Sequence, residues 1–200
     1  MKDLNMLVTG VGGQGTILAS DIIAEVGMRA GYDVKKSNVL GLAVRGGSVR
    51  SHVRWDPESV SAPMSSKGTV NYLISFEKLE AARNLSYLKQ DGEVLVNNQE
   101  IPPVSVSAGD KAYPDINEIK KMTEKVARET YYFDGLATAE DLGSSRVLNV
   151  VILGAFSNFI DVDEKVWIDV ISESVPPKFQ ELNKKAFQKG KKLVEGVDVE

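Results

Sequence analysis

The chain has 200 residues, 42% of them hydrophobic and 26% charged, which suits one α/β domain with a buried core. Its formal net charge of -4 excludes the global basic field that nucleic-acid-binding and membrane-surface proteins use, so we expect neither partner. The chain has no cysteine, which excludes a disulfide framework, a thiolate-held iron–sulfur cluster and a cysteine zinc site within it.

The first predicted elements are a strand, a turn and a helix. The apolar run NMLVT (5–9) predicts a strand, and the glycines after it predict a turn. Leu18, Ile22 and Val26 then recur at helical spacing up to Gly31, a residue typical of a helix C-terminus. YDVKKS (32–37) predicts a second strand, so we expect a βαβ unit that begins a parallel sheet.

The middle of the chain continues the alternation of strands and helices. SVRSHVRW (48–55) alternates with period two, and Arg50, His52 and Arg54 share one unusually polar face. VNYLISF (70–76) and EVLVN (93–97) predict strands on either side of a helix in EKLEAARNLSYL (77–88). The proline-rich stretch 101–114 predicts a surface crossing, a helix follows from Ile116 to Val126, and YYF (131–133) predicts a short strand.

From Ser144 onward the pattern is helical, with a break at Pro176–Pro177. The apolar run 147–156 is too short to span a bilayer, so we expect it to bury against the sheet or a partner chain. The first residues lack the basic and long apolar regions of a signal peptide, which predicts a cytoplasmic protein. The predicted fold is α/β and Rossmann-like: a doubly wound, mostly parallel sheet with helices on both faces and C-terminal helices. We expect residues 1–200 to form one domain, with a C-terminal helical arm at about 160–200.

The segment GVGGQG (10–15) is the first candidate site. A glycine turn before a helix offers free backbone N–H groups, a positive dipole end and room for close approach, which suits a phosphate. The predicted site residues are Gly10, Gly12, Gly13, Gln14, Gly15 and Thr16. The alternative is a tight strand-to-helix turn with no ligand, and the spacing alone favours neither strongly.

A nicotinamide site would require an acidic residue at the end of the second strand, where this chain has Lys35, Lys36 and Ser37. NAD is therefore disfavoured. The two lysines suit a 2′-phosphate or the phosphates of another adenine nucleotide such as coenzyme A, or they are simply solvated.

The segment RGGSVRSHVRW (45–55) is the second candidate site. Arg45 places a fork of donors beside the flexible backbone of Gly46 and Gly47, which suits a carboxylate or phosphate. The three potentially cationic side chains at 50, 52 and 54 indicate either an exposed strand face or a surface that faces an anion or an interface. One histidine without a recognisable acid or nucleophile partner predicts no catalytic triad and no metal site.

These two segments together resemble the gamma-type subunit of the 2-oxoacid:ferredoxin oxidoreductases, most closely the beta subunit of the indolepyruvate enzymes. NVVILGAFSNF (149–159) resembles the family's Asn-x-x-x-Leu-Gly-Ala segment, and FQELNKKAFQKG (179–190) resembles its closing helix. The likeness covers most of the chain in order.

The resemblance implies a subunit of a complex that oxidatively decarboxylates a 2-oxo acid to an acyl-coenzyme A and reduces ferredoxin. It implies that thiamine diphosphate, magnesium and the iron–sulfur clusters belong to large partner subunits, and that this chain alone has no catalytic residue. It also associates the subunit with coenzyme A, with Gly10 to Gly15 as the first loop and Arg45, Gly46, Gly47 and Ser48 as the second.

The sequence departs from the indolepyruvate pattern at Asn38, Leu42 and Val44, where that group often has Glu, Met and Gln. An arylpyruvate substrate such as indolepyruvate is expected, and pyruvate, 2-oxoisovalerate and 2-oxoglutarate types stay open. Two other functions stay open: a stand-alone NADP-dependent reductase that uses Gly10 to Gly15 with Lys35 and Lys36, and a non-enzymatic interaction module.

Overall fold

The computed structural model describes residues 2–41, 46–109 and 111–194. Within these residues the fold is a six-stranded sheet with helices on both faces. The strands are β1 (Leu4–Val11), β2 (Asp33–Leu40), β3 (Ser48–Asp56), β4 (Val70–Ser75), β5 (Leu88–Asn97) and β6 (Glu129–Phe133). The helices are α1 (Thr16–Arg29), α2 (Lys78–Asn84), α3 (Val104–Ser107), α4 (Ile116–Glu124), α5 (Gly135–Asp141), α6 (Leu148–Ser157), α7 (Glu164–Glu173) and α8 (Gln180–Lys191).

The strand order is β2-β3-β1-β4-β5-β6. The pairs β1–β4, β4–β5 and β5–β6 are parallel, whereas β3 runs antiparallel to both of its neighbours. Five strands therefore point the same way, and the predicted mostly parallel α/β sheet is confirmed.

The two strands of the predicted βαβ unit, β1 and β2, run in the same direction but do not pair directly, because β3 lies between them. The chain from Gly41 to Gly47 is too short for the crossover that a parallel pair needs, so β3 folds back beside β2 as an antiparallel strand. Its hydrogen bonds close the hairpin at Gly41 N–H to Ser48 O, 2.9 Å. The edge position is then left to β2.

Two hydrophobic clusters occupy the two faces of the sheet. The larger one joins Met6, Ile22 and Trp55 to residues of α6, α7 and α8. The smaller one joins Leu7 and Leu73 to residues of α2 on the opposite face. Since α1 follows β1 on one face and α2 follows β4 on the other, the connections diverge between two adjacent parallel strands. A crevice forms at such a point, outside the carboxyl ends of the strands.

Helix α6 is the centre of the larger cluster. Every residue from Leu148 to Phe156 is buried, so the expectation that this run buries against the sheet is confirmed. It packs against α8 through two glycines: a Cβ on Gly154 would lie 2.1 Å from Phe187 O, and one on Gly190 would lie 1.9 Å from Val151 O. The two helix backbones touch at these positions. Trp167 of α7 and Phe187 of α8 belong to the same cluster, and the expected single domain with an arm at about 160–200 stays a prediction.

No helix in the described part of the chain is long and apolar enough to cross a membrane.

Candidate functional site

The first glycine loop connects β1 to α1 at the crevice. Gly15 is the N-cap residue of α1 and has φ +84°, a left-handed conformation that favours glycine. The described residues provide no side-chain cap for this helix, and its first turn contains no acidic residue. The first amide groups of α1 therefore face outward with the positive end of the helix dipole.

Close packing requires a glycine at position 10, the start of this loop. A Cβ on Gly10 would lie 2.8 Å from Gln14 Oε1 and 2.9 Å from the Cβ of Phe76. No side chain fits there without moving the loop. Gly10 therefore serves loop geometry, and it is the residues after it that face outward.

The second glycine loop lies directly against the first. Gly12 N donates to Gly47 O at 2.9 Å, which joins the two loops through their backbones. Ser48 Oγ donates to Glu80 Oε2 at 2.5 Å, and Glu80 is buried on α2. The start of β3 is thus tied to the first loop on one side and to α2 on the other. Arg45, the predicted donor of this loop, lies outside the described residues.

Together the two loops line a half-open cavity of about 600 Å³, which we call the loop cavity. Its walls come from both loops, the first turn of α1 and the end of β2. They are Gly12, Gly13, Gly15, Thr16, Ile17, Leu40, Gly41, Gly47, Ser48 and Val49. These described walls carry no titratable side chain, so the cavity offers backbone donors, the helix dipole and apolar surface.

Among the predicted site residues, six line the loop cavity: Gly12, Gly13, Gly15, Thr16, Gly47 and Ser48. Gly10, Gln14 and Gly46 do not line it. Leu40, Gly41 and Ile17 were missed by the sequence analysis. No motif marks them; they reach the cavity because β2 ends beside the N-terminus of α1.

Gln14 has a different role from the predicted one. Its Oε1 accepts from Val11 N at 2.7 Å, and its Nε2 donates to Phe76 O at 3.0 Å and to Gln99 Oε1 at 2.9 Å. The amide thereby connects the ends of β1, β4 and β5. Its hydrogen-bonding groups stabilise the loop from within.

The two lysines that the NADP alternative requires do not converge. Lys36 lies over α1, where its Nζ donates to Ser20 Oγ at 3.3 Å and pairs with Asp21. Lys35 is the next residue of the same strand, so its side chain points to the opposite face of the sheet. The structure therefore separates the two lysines that the NADP alternative would bring to one phosphate.

The polar face of β3 is covered by other parts of the chain. His52 is fully buried, with Nδ1 accepting from Ser65 N at 3.3 Å, so the interpretation of an exposed face is wrong for this residue. Arg50 donates to Tyr87 Oη at 3.2 Å, and Arg54 donates to Asn5 Oδ1 at 2.6 Å. Burial, and next the charge of Arg50, lower the pKa of His52 below its ordinary value.

A family model described as pyruvate ferredoxin/flavodoxin oxidoreductase matches residues 5–193 of the chain. The chain belongs to the pyruvate ferredoxin/flavodoxin oxidoreductase family. The match includes both glycine loops, so the resemblance noted from the sequence is confirmed.

A relative within this oxidoreductase family is the indolepyruvate oxidoreductase subunit IorB of Thermococcus kodakarensis. It is 39% identical over an alignment of 195 residues, and the match covers 96% of each chain. A solved structure of a keto/oxoacid ferredoxin oxidoreductase gamma subunit from Geobacter sulfurreducens is 27% identical with a TM-score of 0.70. The likeness covers 96% of this chain and 98% of that one.

The same fold occurs inside a larger protein of this group. A 2-oxoglutarate:ferredoxin oxidoreductase from Magnetococcus marinus, solved with 2-oxoglutarate, coenzyme A and succinyl-CoA bound, matches at a TM-score of 0.75 and 24% identity. That likeness covers all of this chain and 32% of the larger chain. The fold of this chain is therefore found both as a separate subunit and as one part of a longer polypeptide.

Proposed function

We propose that this chain is a subunit of a thiamine-diphosphate-dependent 2-oxoacid:ferredoxin oxidoreductase and carries no catalytic residue of its own. The complex oxidatively decarboxylates indolepyruvate or another arylpyruvate to an acyl-coenzyme A and reduces ferredoxin. The name of the 39% identical relative supports the aryl substrate. The iron–sulfur clusters, thiamine diphosphate and magnesium belong to large partner subunits in this proposal. The absence of cysteine from the chain supports that assignment of the clusters.

The observation that carries this proposal is the loop cavity. Its walls fit a phosphate-bearing group, because glycines admit close approach and the uncapped first turn of α1 presents amide donors and a positive dipole end. We propose that coenzyme A is this group, held by Gly12, Gly13, Gly15 and Thr16 of the first loop and by the second loop. When bound, coenzyme A supplies the thiol that receives the acyl group.

In this proposal the remaining predicted residues shape the site. Gly10 permits the close packing under Gln14, and Gln14 holds the loop to the ends of β4 and β5. Ser48 is positioned by its hydrogen bond to Glu80. Gly46 has φ +70°, which gives the second loop a backbone shape that favours glycine. Arg45 adds a cationic fork for the coenzyme's phosphates, as the sequence predicts.

The surface around the loop cavity suits a partner subunit. Leu40 is 58% exposed and Ile17, in the first turn of α1, is 38% exposed, and both line the loop cavity. Large apolar side chains that cluster at the rim of a site are typical of an interaction surface. We propose that the large subunit covers this rim, so that the coenzyme lies between the two chains.

The experiment is reconstitution of the chain with its large subunit, followed by coenzyme A-dependent reduction of ferredoxin. Indolepyruvate, phenylpyruvate, pyruvate, 2-oxoisovalerate and 2-oxoglutarate are compared by kcat/KM. We expect the aryl substrates to give the highest values and the isolated chain to show no turnover. Preference for 2-oxoglutarate or pyruvate would replace the aryl assignment, and NADPH oxidation by the isolated chain would replace the whole proposal by a reductase.

Substitution of Arg45 tests the coenzyme site. Arg45→Ala should raise the KM for coenzyme A by about tenfold, since a charge-assisted contact to phosphate contributes about 1.5 kcal/mol or more. The KM for the oxo acid should stay unchanged. Lys125→Ala is the matched control, because it removes one exposed cation at the end of α4 on the other side of the sheet. An unchanged KM for coenzyme A in Arg45→Ala would remove this residue from the site.

A further inference from the structure

A second cavity lies beside the first glycine loop, on the other side of α1. It has a volume of about 300 Å³ and lies between α1, the N-terminal end of α6 and the segment that connects α7 to α8. We call it the side cavity. Its body is apolar, with Leu18 and Ile22 of α1 facing Val150 and Leu182. A volume of this size is at the lower end of the range for small-molecule sites.

An amide that forms no hydrogen bond with the described residues lies in the wall of this cavity. Asn149, in the first turn of α6, is 5% exposed, and its side chain makes no hydrogen bond to any described residue. A Cβ on Gly15 would lie 3.4 Å from the Cβ of Asn149, so the residue packs directly under the glycine loop. The amide carries one acceptor and two donors that no described residue uses, so these groups are available to a ligand in the cavity.

The other polar residues of the side cavity are already used, with one exception. Asn183 Nδ2 donates to Phe179 O at 2.9 Å, and Ser144 Oγ accepts from Arg146 N at 3.4 Å. The guanidinium of Arg146 is exposed at the wall and has no partner among the described residues. A guanidinium has a planar fork of donors that matches the two oxygens of a carboxylate.

The charges around the side cavity favour a negatively charged ligand. The residues that line the side cavity include Arg146 and no carboxylate, although the whole chain has a net charge of -4. The start of α6 also directs the positive end of its helix dipole here, and its first turn contains no acidic residue. These features favour an anion whose charged end lies at the mouth and whose body is apolar.

We propose that the side cavity binds a small carboxylate with an apolar body, with Arg146 holding the carboxylate and Asn149 hydrogen-bonding a polar group or carboxylate oxygen within. This site goes beyond the proposed function, because it involves neither the loop cavity nor its coenzyme. The apolar walls from α1 and α8 enclose the body of the ligand, and the amide and guanidinium fix its orientation.

The test is titration of the full chain with 3-phenylpropionate by calorimetry, with neutral 3-phenylpropanamide as the matched ligand. We expect saturable binding of the acid, and binding of the amide weaker by about tenfold because it loses the charge-assisted pair. In Arg146→Ala the two ligands should bind within about twofold of each other. Asn149→Leu, which keeps the volume, should weaken both ligands by about fivefold.

Lys125→Ala again serves as the charge-matched control and should leave both affinities unchanged. Since Arg146 is exposed, Arg146→Ala should leave the fold intact, and thermal unfolding of this variant checks that. The comparison of acid and amide in Arg146→Ala therefore tests the proposal even if Asn149→Leu fails to fold. Absence of saturable binding up to about 10 mM acid would overturn the proposal. Equal affinity of acid and amide in the wild type, or displacement of the acid by inorganic phosphate, would overturn it as well.

Discussion

Replacement of Gln14 by glutamate should make the stability of the protein depend on pH at this position. The wild-type amide uses Oε1 as an acceptor for Val11 N and Nε2 as a donor to Phe76 O and Gln99 Oε1. A glutamate of nearly the same shape keeps the acceptor and loses the donor. Its second oxygen would then lie about 3 Å from two other oxygen acceptors when the carboxyl group is ionised.

The loss of unfolding free energy is the cost of the lost hydrogen bonds and of the oxygen–oxygen repulsion, reduced by the favourable effect of the α1 dipole. Two lost hydrogen bonds cost about 1 kcal/mol each, and the repulsion of an ionised oxygen from two acceptors adds about 1 kcal/mol more. The nearby N-terminus of α1 favours a carboxylate by less than about 1 kcal/mol. The repulsion and lost bonds therefore win, and the variant should be about 2 kcal/mol less stable than the wild type at pH 8.

Protonation of the new carboxyl group should recover part of this loss, because its O–H can again donate to Phe76 O. The pKa of the group is then higher in the folded state than in the unfolded state. The stability gained from the protonated form is fully present below the unfolded pKa and is lost as pH rises through the folded pKa. We expect the deficit against wild type to fall to about 1 kcal/mol at pH 4.5.

The assay is urea unfolding of wild type and variant at pH 4.5 and pH 8, with the difference taken at each pH. Gln90→Glu is the control, because Gln90 is exposed on β5 and acquires the same charge without these acceptors. A deficit that is the same at both pH values would refute the role assigned to the Gln14 amide. So would a deficit no larger than that of the control.

Two further predictions concern the core. Gly154→Ala and Gly190→Ala should each destabilise the protein by about 3 kcal/mol, because either methyl group forces α6 and α8 apart. One displacement of the two helices accommodates both methyl groups. In urea unfolding, the double variant should therefore lose less stability than the sum of the two single losses. Additive costs would contradict the shared contact. The pKa of His52 is lower in the folded chain than in the unfolded chain. As pH falls below about 6.5, the unfolded chain therefore binds a proton at His52 before the folded chain does, and the protein loses stability. His52→Gln removes the titrating group and keeps an acceptor for Ser65 N–H. Between pH 7.5 and 5.5 this variant should lose about 1 kcal/mol less of its unfolding free energy than the wild type loses. An equal loss in both proteins would contradict the role of His52 in this pH dependence.

Sequence patterns were sufficient for the order of the elements and for the larger features of the sheet. The helical spacing of Leu18, Ile22 and Val26 and the strand patterns around it depend on local periodicity, which survives in the structure as α1, β1 and β4. The position of β3 between β1 and β2 is a different kind of property. It follows from the length of the hairpin connection at 41–47, and strand order is set by such connections and not by periodicity.

In the candidate site, too, local features were predictable from the sequence and long-range contacts were not. Glycines signal backbone shape, so the loop positions at Gly12, Gly13 and Gly15 were predictable, whereas the direction of the Gln14 side chain depends on acceptors at Phe76 and Gln99, far along the chain. The burial of His52 depends likewise on the irregular segment around Ser65, which has no period to read. By contrast, the separation of Lys35 from Lys36 was available from the alternation of a strand alone.

The chemistry of the loop cavity follows from how its loops are held. The side chains of Gln14 and Ser48 are bonded within the protein, so the donors that remain for a ligand are backbone amides at the start of α1. Backbone amides and a helix dipole can bind an anion, but a backbone amide does not act as a general acid or base near neutral pH. The described walls of the cavity therefore suit binding and orientation of an anion, and they contain no side chain that titrates as a general acid or base. In the proposed function the reacting groups belong to another chain, which is why the proposed test uses the reconstituted complex.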